Sequence, residues 1–385
     1  MALRILIAPD KFKGSLTASA AAAAIAGGVA VACAGAKAVV MPIADGGEGT
    51  AEAICAALDG KWITVPASDP LGRSIHARYA WLENEVAMID MSEASGLARL
   101  TAAERDPLNA STFGTGQLVS DALRRGATKI LVGLGGSATN DGGIGLAEAL
   151  GFGFFHRNGE RLSAIPENLA DFAKITAPDV TPSAVVIGLC DVGNPLTGER
   201  GASRVYGPQK GADPRMVDWL DRNLARLADL VARDLRCDFR ETPGAGAAGG
   251  LGYGLLSFCG AELRSGFETL AEILQLEKEI ASSDLVITGE GRLDTQTLEG
   301  KGPAWIAALA RKHGKPVIAL AGAVSDDPRI AAVFDRVFAA TPEGMPLGEA
   351  LRNASGLLAN CASRAVAGFL HQRSSYDSRI KAPAT

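Results

Sequence analysis

Six segments of this chain are rich in glycine, and five of them add acids, amides or hydroxyls. They are 44–50 (ADGGEGT), 133–145 (GLGGSATNDGGIG), 190–198 (CDVGNPLTG), 207–212 (GPQKGA), 243–250 (PGAGAAGG) and 288–294 (TGEGRLD). Glycine reaches positive φ and lets a backbone approach a ligand closely. Successive amides form nests that hold anions, and carboxylates beside them can hold a hard cation. Together they point to a phosphorylated, metal-bound substrate.

The individual side chains divide by chemistry. Asp10 ends the first apolar run and is followed by Lys11, Lys13 and Ser15, which suit a carboxylate or phosphate at a helix start. Asp45 and Glu48 lie among Gly46, Gly47 and Gly49, where two acids could hold Mg²⁺ or accept a substrate hydroxyl; Glu48 could equally cap its own helix. Gly135, Gly136, Ser137, Thr139, Asn140, Asp141 and Gly142 supply amides, hydroxyls and an acid in one loop. That loop lacks the lysine of GxxxxGK[ST] and the spacing of GxGxxG, yet a plain turn would not need so many polar side chains. Asp191 and Asn194 follow a buried strand, and Lys210 lies in a glycine-flanked loop. Glu290, Arg292 and Asp294 follow another strand, with Arg292 able to neutralise phosphate and the acids able to bind metal or take a proton. Lys301, between two glycines, is phosphate-compatible. Segment 243–250 fits close ligand contact or a hinge. Cys190 reads as a strand-end thiol rather than a nucleophile, since no histidine stands in a suitable setting.

These residues must be carried by strand–glycine turn–helix units. RILIA (4–8), KILV (129–132), LVIT (285–288) and PVIAL (316–320) read as buried parallel strands. Helices are expected from about 15 to 33 with Ser15 as N-cap, 50–58, 144–150, 214–235, 303–313 and 347–370. Residues 75–81 and 86–91 read as a hairpin around Glu83-Asn84-Glu85. Alternating β/α order at both chain ends, with a mixed middle, predicts an α/β fold. One domain is built from 1–70 and 284–385, and another is inserted as 71–283.

Length and composition narrow the class. A chain of 385 residues exceeds what one core normally organises. Net charge of −5 gives no support to a nucleic-acid partner. The charge-free stretch 18–36 is Ala/Gly-rich and lacks the Leu/Ile/Phe content of a span, so it reads as a buried helix and no membrane partner is expected. Six scattered cysteines without CxxC spacing read as reduced thiols. A soluble cytoplasmic protein is expected, with room for a homo-oligomer. A small-acid binding protein and a dehydrogenase are weaker alternatives. The first lacks a signal peptide, and the second lacks GxGxxG.

Taken together and in order, IAPDKFKGSLTA, PIADGGEGT, GLGGSATNDGGIG, CDVGNPLTG, GPQKGA, PGAGAAGGLG and DLVITGEGRLDTQTLEGKGP resemble the bacterial glycerate kinase family, from about residue 4 to 370. The resemblance implies a Rossmann-like parallel-sheet domain from both chain ends, an inserted α/β domain, and an active site in the cleft. It also implies Mg²⁺-ATP as donor and D-glycerate as acceptor, with 2-phosphoglycerate the usual product and 3-phosphoglycerate the alternative. Departures are mild: Lys11 stands where Ser is frequent, Asp90-Met91-Ser92 where Glu-Met-Ala is, and Gly193 where a polar residue often sits. On this reading Asp191 or Asp10 takes the hydroxyl proton. Lys13, Arg292 or Lys210 pairs with the glycerate carboxylate or the γ-phosphate. The loop 137–143 cradles ATP, Asp45 or Asp294 binds Mg²⁺, and Asp45, Gly46, Gly47, Glu290 and Asp294 face substrate.

Overall fold

The computed structural model describes residues 2–43, 46–179, 183–295, 297–299 and 302–380, with backbone only at 299 and 374–380. In chain order the strands are β1 (Arg4–Pro9), β2 (Lys37–Val40), β3 (Lys61–Ser68), β4 (Ser74–Leu82), β5 (Val86–Asp90), β6 (Lys129–Gly133), β7 (Gly153–Phe155), β8 (Arg161–Leu162), β9 (Lys174–Thr176), β10 (Val185–Leu189), β11 (Glu262–Arg264), β12 (Leu285–Leu293), β13 (Val317–Val324) and β14 (Arg336–Ala339). The chain packs as two compact units, residues 1–44 with 270–385 and residues 45–269.

The first unit is a parallel sheet in the order β14-β13-β12-β1-β2. Numbered within the unit this is 2-1-3-4-5, a doubly wound order that reverses direction between β1 and β12. Ile5, Ile7, Ile287, Ile318 and Leu320 form the inner layer of its core. The helix Ala18–Ala32 packs on the helix Ala354–Ile380. Gly28 lies so close to the Ala359 carbonyl that a methyl there would overlap it. Small side chains in 18–36 therefore serve helix–helix contact, and no helix among the described residues is long and apolar enough to cross a membrane.

The second unit has a six-stranded sheet, β11-β10-β6-β5-β4-β3. Its β5, β6, β10 and β11 are parallel, while the β3–β4 and β4–β5 pairs are antiparallel. A smaller antiparallel sheet, β8-β7-β9, packs under the amphipathic helix Pro214–Asp234. Phe154 stacks on Phe172 with ring centroids 5.0 Å apart.

Four local expectations change. The sequence placed a crossing between domains near residue 70. In the structure the helix Thr50–Ala57 and β3 already belong to the second unit, because β3 pairs along its whole length with β4. Pro66 hides this strand in the sequence, but an edge strand tolerates proline. The first helix begins at Ala18, not near Ser15: Thr17 caps it by accepting from Ala20 N at 3.1 Å, while Ser15 Oγ donates to the Phe12 carbonyl at 3.0 Å. The C-terminal helix is two helices, Leu347–Arg352 and Ala354–Ile380, parted at Asn353. Segment 243–250, read from the sequence as ligand contact or hinge, has a structural part in a helix start. It opens the helix Ala247–Cys259 through a left-handed run at Ala248, Gly249 and Gly250, all buried.

Candidate active site

In open α/β sheets ligands bind beyond the carboxyl ends of the strands, where the strand order reverses. In the first unit that point lies between β1 and β12. Pro9 is level with Gly289, and Asp10 N donates to the Gly289 carbonyl at 2.8 Å. Asp10 and Glu290 are thus the next residues on two neighbouring strands. Glu290 and Arg292, two apart on β12, share one face of the sheet. Arg292 Nε lies 3.5 Å from Asp294 Oδ2, and the guanidinium is largely exposed. Thr297 ties the acids together: its hydroxyl donates to Glu290 Oε1 at 2.7 Å and accepts from Asp294 N at 3.1 Å. Lys13 is exposed on the loop after β1, and that loop reaches β12 because residue 291 is glycine: a Cβ there would stand 3.1 Å from Lys13 N. Three predicted acids and two predicted cations are thereby brought to one sheet edge.

The second unit gathers its residues at the carboxyl ends of β5, β6 and β10, where Asp90 and Leu189 are both level with Gly133. Asp191 is exposed just beyond β10; its Oδ1 accepts from Ser265 Oγ at 2.8 Å and from Gly266 N at 3.1 Å. Asp45 and Lys301 lie outside the described residues.

Glycines here serve mainly to press loop on loop. A Cβ on Gly135 would overlap Gly47 Cα, and one on Gly249 the Thr139 carbonyl. Gly143 and Gly254 meet backbone to backbone, where an added Cβ on Gly143 would lie 2.7 Å from Gly254 Cα. The turn 46–49, the loop 133–145 and the segment 243–254 are thus one packed body.

Two buried carboxylates occupy helix starts beside the glycine segments 44–50 and 133–145. Asp141 Oδ2 accepts from Thr112 N at 2.8 Å, Thr112 Oγ1 at 2.7 Å and Gly145 N at 3.3 Å, and Oδ1 accepts from Gly143 N at 3.0 Å. Burial pushes its carboxyl up, and those four donors pull it back. Asp90 does the same at the helix Thr50–Ala57. Its Oδ2 accepts from Gly49 N at 3.0 Å and Ala51 N lies 3.2 Å from both oxygens, while burial pushes the carboxyl up to about 7. Sequence reasoning noted Asp90 only as a departure. Its signal was an acid ending a strand otherwise fully apolar. Since a helix start favours negative charge, these internal carboxylates fill it.

The side chains of Ser137, Thr139 and Asn140 also turn inward, all three buried. Asn140 Nδ2 donates to Ser203 Oγ at 2.8 Å. Lys210, 1% exposed, donates from Nζ to Ser137 Oγ and to the Thr139 carbonyl, both at 2.7 Å. Burial lowers its pKa to about 7, with Asp141 opposing. What the loop leaves outward is the backbone at Gly135 and Gly136. Cys190, whose Sγ lies 3.2 Å from the Val192 carbonyl, is held as the thiol by burial.

No group of three histidines, cysteines or acids that could hold an ion gathers among the described residues. Mg²⁺, though, is usually held by one or two carboxylates with water and phosphate completing the shell. Glu290 and Asp294, linked through Thr297, carry oxygen donors of that kind.

Residues 5–370 match the model of the glycerate kinase family. The chain is 43% identical over 378 residues to the glycerate 2-kinase of Escherichia coli (strain K12), covering 96% of this chain and 98% of the relative. It is 42% identical over 366 residues to the glycerate kinase of Halalkalibacterium halodurans, covering 93% and 96%. A crystal structure from Salmonella typhimurium LT2, described as a glycerate kinase 2, superposes with a TM-score of 0.87 at 42% identity, over 97% of this chain and all of that one. With the match running from the first strand into the last helix and these relatives covered almost end to end, the chain belongs to the glycerate kinase family of enzymes.

Proposed function

We propose that the protein transfers the γ-phosphoryl group of ATP to the 2-hydroxyl of D-glycerate, releasing 2-phosphoglycerate and ADP. The observation that carries this reading is the placement of Asp10, Glu290, Arg292 and Asp294 at the carboxyl ends of β1 and β12, where the strand order reverses. Phosphoryl transfer asks for positioning and charge neutralisation more than covalent chemistry, and an acid pair with Lys13 and Arg292 offers both. The name of the Escherichia coli relative supports the 2-hydroxyl.

Glu290 and Asp294 would hold Mg²⁺, which would neutralise charge on the phosphoryl oxygens. Lys13 and Arg292 pair with the glycerate carboxylate and the γ-phosphate. Asp191, exposed and fixed in orientation by Ser265 and Gly266, takes the hydroxyl proton. The exposed backbone N–H of Gly136 receives ATP phosphate.

The test is a coupled assay with D-glycerate, ATP and Mg²⁺, read through enolase with and without phosphoglycerate mutase. Signal without the mutase is expected. Signal only with it assigns the 3-hydroxyl and removes the proposed base. No signal from folded protein overturns the substrate.

A further inference from the structure

We propose that Lys210 is a positioning residue, a buried cationic clamp that sets the loop 135–141 from beneath, rather than a ligand of phosphate. This rests on the phosphoryl-transfer reading only for what the loop is positioned to do.

Lys210 enters from the short 3₁₀ turn Pro208–Lys210. The turn is closed by Gly211 at φ 100° and held at its Gln209 carbonyl, which accepts from Arg105 Nη1 at 3.2 Å. Gly211 is packed so that an added Cβ would lie 2.7 Å from the Arg105 carbonyl. The lysine stem therefore has a fixed origin. Its ammonium spends two donors on atoms two residues apart in one loop, Ser137 Oγ and the Thr139 carbonyl. Hydrogen bonds from a charged donor are about twice as strong as neutral ones. Asp141 supplies the opposite buried charge and grips the following turn through Gly143 and Gly145. Asn140, between them, is anchored on Ser203. Side chains 137–141 are all buried, so the segment is fastened below at each end and in the middle. The loop's path above this anchor, through Gly135 N on the Gly46 carbonyl at 3.3 Å and Ala138 N on the Ser95 carbonyl at 3.0 Å, fixes where the outward amides stand. A lysine serving phosphate directly would need its ammonium at the surface of the loop; here it lies under it.

Hydrogen exchange on the protein without nucleotide separates the two roles. Lys210→Met keeps the stem and removes the donors. The expected result is exchange at amides 135–140 faster by about tenfold or more, the effect of losing charge-assisted bonds, with β6 and β10 unchanged. Turnover should fall with it. Ser137→Ala removes one acceptor and leaves the lysine in place; it should loosen the same amides by less, and it decides the matter if Lys210→Met does not fold. Unchanged exchange without nucleotide in both variants, with Lys210→Met losing only the protection that Mg²⁺-ATP adds to the wild type, overturns the proposal and makes Lys210 a phosphate ligand. Because the deciding readout needs no substrate, failure of the glycerate reading would not produce that result.

Discussion

Replacing Asp90 by asparagine should flatten a pH dependence of stability. The carboxylate is 4% exposed and satisfies Gly49 N and Ala51 N, the open donors of the helix Thr50–Ala57, whose own N-cap is a glycine. Two effects oppose each other there. Donors at a helix start favour the charged form. Removal from water disfavours it, and Glu93 and Glu48 add repulsion. Burial is the largest effect, and the carboxyl rises from 3.8 to about 7. A carboxyl raised in the folded state holds a proton that the unfolded chain has released. Stability therefore declines as pH climbs from about 4 to about 7, and then levels off. A rise of about three pH decades at roughly 1.4 kcal/mol each gives a decline of about 4 kcal/mol. The asparagine side chain would keep the shape and one acceptor but carry no charge. The stability of wild type minus that of Asp90→Asn, in which other titrations cancel, should fall by about that amount between pH 4 and 8. Urea unfolding read by exchange at the helix Thr50–Ala57 reports on this unit alone. A flat difference, or one that rises with pH, would mean that the backbone donors outweigh burial, and the reasoning fails.

Lys210 predicts the opposite slope in another window. Its ammonium is lowered to about 7 by burial, below the unfolded value near 10.4. Stability should therefore rise as pH climbs between the two, and Lys210→Met should remove that rise, measured by unfolding from pH 7 to 10. Gly249→Ala combines a φ of 70° with a methyl driven into the Thr139 carbonyl, and should cost about 3 kcal/mol or more. Gly14→Ala at φ 81°, with nothing within 4 Å, should cost only about 1; equal losses in denaturant titrations would deny the backbone packing its role. Asp191→Asn should lower kcat by roughly 10²–10⁴ with ATP binding retained, while near-normal turnover, with Asp10→Asn inactive, would move the base to Asp10.

The α/β class and the parallel strands could be read from the chain because their signals are local. RILIA, LVIT and PVIAL are short apolar runs followed by polar loops, and such runs have few other ways to be buried. The acids Asp10 and Asp294 were legible for the same reason, since they follow directly on the ends of β1 and β12. Glu290, expected after its strand, lies within β12, which runs on to Leu293 past the end of β1. What could not be read was which polar residue faces inward. The same string Ser137-Ala-Thr-Asn-Asp141 would suit phosphate or a buried network, and the choice is made by partners far along the chain: Thr112, Ser203 and Lys210. The glycines are ambiguous in a similar way. A residue without a side chain permits close approach by anything, and in this protein much of what approaches is another glycine loop. Gly47 meets Gly135 and Gly254 meets Gly143, contacts between segments about 90 and 110 residues apart that no local pattern announces. Asp90 and Asp141 follow from that packing. Once glycine loops start two buried helices, their open N–H groups need an acceptor that water cannot supply, and a carboxylate from within the chain is the acceptor present.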